Sequence, residues 1–284
     1  MTNQSRRNRP VRIKRGGPVV AGLALSLGAV AACGTGGGSG DAAQPPTAGA
    51  TSPAGAEQQR SAPSEASPLD GKVIVIDPGH NGGNADAPAE INKQVKIGNG
   101  SKACDTTGTS TDDGYTEHAF NWDVSKRLEK ALEAEGAEVT LTRDNDEGVG
   151  PCITERAAIA NELKADASLS VHADGTSASG HGFHIIAPKA IERNAEMAPA
   201  SRELGTALRD AYKDGTGIPY SNYLGKQGMD FRDDLGGLNM STVPKVFLEA
   251  GNMRNPGDAA KMTDAKFRER IATSLAQGFE TYFS

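Results

Sequence analysis

The sequence predicts an α/β domain: a twisted, mostly parallel sheet with helices on both faces. Three observations carry this. Short apolar runs such as Val73–Ile76 and Val246–Leu248 end abruptly in polar residues, as buried strands do. They alternate with longer stretches whose apolar residues recur every three to four positions, the period of a helix. The resulting order of strand, helix, strand, helix, strand calls for right-handed crossovers between parallel neighbours.

Lys72–Asp77 reads as the first strand. Residues 81–114 are rich in Gly, Asn, Asp, Thr and Ser and read as a long loop with room for a hairpin. Loops beyond about 12–15 residues are often binding loops or lids. Thr116 then caps a helix over Glu117–Glu135, with Ala119, Phe120, Val124, Leu128 and Leu132 on one stripe and Gly136 as its stop. Glu138–Arg143 alternates as a strand. Ile153–Lys164 is helical, and Ala167–Val171 is a third strand. Gly182–Ala187 is a further strand, followed by a helical region over 191–213 broken at Pro199. Residues 215–243 are loop-rich. Lys245–Glu249 is a strand, and 264–282 a last helix whose core stripe is Phe267, Ile271, Leu275 and Phe279. No internal repeat is present.

The segments before this domain have another character. Residues 1–33 read as an export signal: a basic stretch from Arg6 to Arg15, then the apolar run 18–32, too short for a comfortable membrane span. Val30-Ala31-Ala32-Cys33 resembles a bacterial lipobox, which makes Cys33 the expected lipidation site. Residues 34–69 have no apolar periodicity and read as a flexible linker, which becomes a tether if Cys33 carries lipid. Residues 70–284 form the expected catalytic domain, long enough for one sizeable core. The formal net charge is −6, and the mature chain is more acidic once the basic leader is removed, so nucleic acid is excluded as a partner. Cys104 and Cys152 remain as an even pair in an exported chain, and a disulfide between them is expected.

Four residues carry the chemistry. His80 follows the first strand in Asp77-Pro78-Gly79-His80, His172 follows the third, Glu249 ends the last, and Glu117 opens a helix. Strands of an open α/β sheet present functional groups at their carboxyl ends. Two imidazoles and one carboxylate leave a tetrahedral zinc ion one open position, and a second carboxylate nearby can serve as general base. The pattern points to a zinc hydrolase, with His80, Glu117 and His172 as ligands and Glu249 as proton carrier. Asn121, one turn beyond Glu117, is a candidate for holding that carboxylate or lining the substrate site. Arg232 is a candidate for a substrate carboxylate or carbonyl, with a salt bridge as the alternative. Asp174 is read as either an outer partner of a ligand imidazole or a turn cap. His118 points away from the site, and His184 reads as packed or hydrogen-bonded on a sheet face. The His-Glu-x-x-His and Gly-x-Ser-x-Gly motifs are absent.

The ordered set Ile74-Val75-Ile76-Asp77-Pro78-Gly79-His80, Glu117 with Asn121, Ser170-Val171-His172-Ala173-Asp174 and Leu248-Glu249 resembles the zinc-dependent N-acetylmuramoyl-L-alanine amidases of the amidase-3 type. The resemblance covers about 70–284 and is strongest to actinobacterial exported forms. It implies hydrolysis of the amide between N-acetylmuramic acid and L-alanine, in peptidoglycan or muropeptides. It implies the same three zinc ligands and the same catalytic glutamate. Two departures stand out: the run Glu249-Ala250-Gly251-Asn252-Met253-Arg254-Asn255, where the family usually has an apolar residue and then Ser-Asn after Glu-x-Gly, and the long loop before Glu117. The expected partners are the wall substrate and, through Cys33, the outer face of the cytoplasmic membrane. The cell wall or periplasm is the alternative location, and a monomer is expected. Two other readings fit the same residues: a tethered muropeptide-binding protein without catalysis, and a zinc peptidase cutting within the stem peptide.

Overall fold

The computed structural model describes residues 66–284; the expected export signal, Cys33 and most of the linker lie outside them. The strands are β1 (Val73–Pro78), β2 (Gln94–Lys96), β3 (Ser101–Ala103), β4 (Glu138–Leu141), β5 (Ala167–Asp174), β6 (His184–Pro188), β7 (Met229–Arg232) and β8 (Lys245–Asn252). The helices are α1 (Pro88–Ile91), α2 (Glu117–Ala134), α3 (Ile153–Glu162), α4 (Ala198–Thr216), α5 (Gly236–Asn239), α6 (Pro256–Thr263) and α7 (Ala265–Phe283).

Six strands form one sheet in the order β4-β1-β5-β8-β6-β7. Its pairs are parallel except β6 with β8, which run antiparallel. β2 and β3 form a separate hairpin in the segment before α2. Helices α2, α4 and α7 cover one face, and α3 with α5 the other. The sheet is thus the mixed, mostly parallel one that the alternation of strands and helices implies.

The long helices form where the stripes require. On α2, Phe120, Val124, Leu128 and Leu132 are all fully buried, each worth about 1.5–3 kcal/mol of transfer free energy. The helix stops before Gly136, which takes φ 93°, a conformation that suits glycine. On α7, Phe267, Ile271, Leu275 and Phe279 face the same core. Its start is capped by Asp264, whose side chain accepts from the Lys266 amide.

Several boundaries differ from the sequence reading. Pro199 sits in the first turn of α4 rather than breaking a helix, since an N-terminal position has no hydrogen bond for proline to lose. The region 215–243 contains β7 and the short α5, both too brief to leave a periodic signal. β5 and β8 run on past His172 and Glu249, so these residues lie inside the strands near their ends. Cys104 and Cys152 form the disulfide, with Cα atoms 4.5 Å apart, joining the end of the β2–β3 segment to the start of α3.

Candidate metal centre and its cleft

β1 delivers His80 through a turn that depends on Gly79. A Cβ at Gly79 would lie 2.1 Å from the His172 ring, so only glycine lets the two chain segments close up. His80 itself has φ 60°, a left-handed conformation that costs a β-carbon residue of order 1–3 kcal/mol. The turn is held by what surrounds it. Arg156 donates to the carbonyls of Pro78 and His80, and Asn121 donates to that of Gly79.

β5 supplies His172, and the first turn of α2 supplies Glu117. Glu117 is only 4% exposed. Its Oε2 accepts from the Thr109 amide at 2.9 Å, and its Oε1 from the Ala173 amide at 3.3 Å. Oε1 lies 3.2 Å from His80 Nε2 and 3.0 Å from His172 Nδ1. One donor atom from each of the three residues lies within 4.8 Å of the others. Two nitrogens and one oxygen, converging and backed by hydrogen bonds, are a donor set that zinc accepts with a position to spare. The residues fit the ion.

Electrostatics agree with a cation site. Burial acts to lower the pKa of His80, but the charges and hydrogen bonds of Glu117 and Asp105 outweigh it and lift the group to about 10. Burial acts to raise Glu117, and the two imidazoles hold it well below the usual carboxylate range. The negative potential that holds a proton on the His80 ring is the one that would hold a metal ion.

Behind His80 lies Asp105, a residue with no local mark in the sequence beyond its place next to Cys104. Its Oδ1 is 3.1 Å from His80 Nδ1, so that nitrogen is engaged and Nε2 is left facing the cluster. Its Oδ2 meets Arg156 at 3.2 Å, and Arg156 also reaches Asp77 at 3.0 Å. Lys245 Nζ closes this buried network at 3.1 Å from the other oxygen of Asp77. Burial acts to raise the pKa of Asp77, yet Lys245, Arg156 and the Thr142 hydroxyl hold it well below the ordinary value. Asp174, by contrast, takes the Tyr223 hydroxyl at 2.9 Å rather than a ligand imidazole. His118 pairs with Asp146 at 2.8 Å, away from the cluster.

The cleft beside the three residues has a volume of about 310 Å³ and is lined by His80, Glu117, His172, Asp174, Arg232 and Glu249 among others. Glu249 pairs with His172 across the sheet. Burial raises its pKa well above the usual value, and the negative charges of Asp174 and Glu117 raise it further. Arg232, at the end of β7, forks onto Asp234 with two bonds of 2.7 Å and remains part-exposed at the cleft wall. Asn121 is fully buried beneath the Gly79 turn, so it braces the ligand loop and has no surface for substrate. The helix turn that puts Asn121 on the side of Glu117 also carries it inward. A second, more apolar cavity of about 320 Å³ shares His80 and His172 with this cleft and is walled by Ala103, Ile153, Leu235 and Phe247. Thr106, Thr107 and Gly108 of the long loop form a wall of the cleft.

A parallel-rich sheet with two histidines and a glutamate at its rim defines a metal-dependent hydrolase of the zinc amidase class. The family model described as N-acetylmuramoyl-L-alanine amidase, Amidase_3, matches residues 74–281, and the chain belongs to that family. It is 45% identical over 209 residues to an N-acetylmuramoyl-L-alanine amidase of Mycobacterium tuberculosis, covering 73% of this chain and 85% of that one. It is 30% identical to the probable cell wall amidase LytH of Staphylococcus aureus, spanning 78% of this chain but only 61% of LytH. Among solved structures, the N-acetylmuramyl-L-alanine amidase Ami1 of Mycobacterium smegmatis is similar with a TM-score of 0.72 and 40% identity, over 76% of this chain and 98% of that one. The activity is therefore zinc-dependent hydrolysis at the N-acetylmuramoyl-L-alanine amide, and the location is extracytoplasmic.

Proposed function

We propose that Glu249 is the proton carrier of this amidase, working in a cleft where His80, Glu117 and His172 hold zinc. The observation that carries this is the place of Glu249 on β8, paired with His172 and lining the same cleft as the three donors. Zinc, when bound, supplies a Lewis acid that polarises the scissile carbonyl and acidifies water. Glu249 takes the proton from the attacking water and returns it to the nitrogen of L-alanine as the amide breaks. A carboxyl whose pKa is raised by burial and by neighbouring carboxylates suits a group that must take up a proton from water. Phe247 stacks on the His172 ring, with centroids 5.2 Å apart and planes 13° from parallel, and fixes its tilt. Arg232 lines the same cleft, which supports its reading as the group that meets a carbonyl or carboxylate of the stem peptide.

Cys33 carries lipid, residues 34–69 act as the tether, and the enzyme works as a monomer from the outer face of the membrane. Replacing Cys33 with Ala should release the protein from the membrane fraction into the medium; continued membrane retention would count against the anchor.

The test of function uses the zinc-loaded protein with a defined muropeptide, read by mass spectrometry. The expected products are intact sugar and free stem peptide, lost on chelation and restored by zinc. Glu249→Ala should keep zinc and lose turnover; retained turnover would remove Glu249 from the reaction. Cuts within the stem peptide would favour a peptidase instead.

A further inference from the structure

His184 is fully buried, and neither ring nitrogen has a hydrogen-bond partner within the protein. Burial, the largest influence, lowers its pKa despite the nearby Asp174 and Asp230, so the ring is neutral. A neutral imidazole has one donor and one acceptor, and leaving both unmet in a protein interior is costly. A residue needed only for packing here would be apolar, as Ile186 is two positions along the same strand face.

The sheet register says what the ring faces. His184 on β6 is directly opposite Glu249 on β8, and Glu249 is opposite His172 on β5. The three side chains stand in one row on one face of the sheet, across three strands. Opposed residues in an antiparallel pair have Cβ atoms about 4.5–5.5 Å apart, close enough for their side chains to interact. The other side of the ring is also defined. Asp174 Oδ2 lies 3.8 Å from His184 Nδ1 and is itself held by the Tyr223 hydroxyl. The Tyr223 ring meets the imidazole edge-on, with centroids 6.1 Å apart. The charged groups around it are Asp174 from β5, Glu249 from β8, and Asp230 and Arg232 from β7.

We propose that His184 is a positioning residue for Glu249: a ring nitrogen that has no partner in this structure forms, during the reaction, the hydrogen bond that keeps the carboxyl facing the metal cleft, while Asp174 and Tyr223 flank the ring on its other side. This rests on the reading of Glu249 as proton carrier.

The experiment is a double-mutant cycle on the zinc-loaded enzyme, measuring kcat, KM, zinc content and Tm for the parent, His184→Phe, His184→Gln, Glu249→Gln, and Glu249→Gln with His184→Phe. His184→Phe should lower kcat by about tenfold or more with KM and zinc content unchanged. His184→Gln, which keeps a donor and an acceptor, should recover a substantial part of the loss. In the Glu249→Gln background the Phe substitution should cost little, because the group it positions is gone. An equal loss from Phe and Gln, a full loss in the Glu249→Gln background, or a loss of zinc overturns the proposal. If His184→Phe does not fold, His184→Met takes its place in the cycle; if neither folds, the residue is structural and the proposal fails. Failure of the Glu249 reading itself would show separately, as a Glu249→Gln enzyme whose kcat stays close to the parent's.

Discussion

The two faces of the central strands differ in kind. On β5, Leu169, Val171 and Ala173 face α2 and α7 and are buried in the large apolar core. The alternate residues Ser168, Ser170 and His172 face the other way. On β8, Val246, Leu248 and Ala250 join the same core, while Lys245, Phe247 and Glu249 share the face of His172. Among the described residues, the apolar cluster on that second face is the small one around Val75 and Ala160. One face therefore supplies non-directional burial. The other supplies directed polar groups: a deep charged network at Asp77, Arg156 and Lys245, and the reactive groups at the rim. Strand alternation lets one segment do both, because successive side chains point to opposite faces.

Substitutions can break or sharpen this contrast. The largest effect is expected at the rim. Glu249→Ala should cut turnover by roughly a hundredfold or more, the scale of general acid–base catalysis, with Tm unchanged or raised; steady-state kinetics beside thermal melts would check both. Deeper on the same face, Lys245→Met should lower stability by about 3–5 kcal/mol, because Asp77 stays buried with one partner fewer. Urea unfolding would measure it, and turnover per folded molecule should persist. If activity fell with stability held, the charged network would belong to the chemistry rather than to the fold.

On the opposite face, Leu169→Ala should cost about 2–5 kcal/mol through a cavity in the core, again with activity per folded molecule intact. Asp105→Asn should weaken zinc by roughly ten- to a hundredfold through loss of the carboxylate behind His80. Competition with a metallochromic chelator would read this without reference to activity. The smallest effect near neutrality is on pH. The folded pKa of Asp77 lies well below its unfolded value, so its contribution is fully present above about pH 4 and is lost as pH falls through the folded value. Melting temperatures should therefore drop on acidification below about pH 4, and the drop should shrink in Lys245→Met. An unchanged acid response in that variant would assign acid sensitivity to other carboxylates.

Much of the site was legible because each part carries a local mark. His80, His172 and Glu249 each follow or end an apolar strand, and Glu117 opens a strongly striped helix. The disulfide followed from an even cysteine pair in an exported chain and is formed. Other parts had no local mark. Asp105 lies in a loop without periodicity, and only the hairpin, the disulfide and α3 together carry it to His80. Asn121 has the right helical spacing for the cleft, but the packing of α2 turns it under the Gly79 backbone.

The sequence by itself determined the alternation of strands and helices, the apolar stripes and the identity of the residues able to bind a metal. These follow from periods of two and 3.6 residues and from side-chain chemistry, which are local. The tertiary structure alone decided that β6 runs antiparallel to β8, that His184 therefore stands opposite Glu249, and that Asp105 rather than Asp174 backs a ligand histidine. These are matters of register and crossover. They depend on contacts between residues far apart in the chain, which no short window of sequence records.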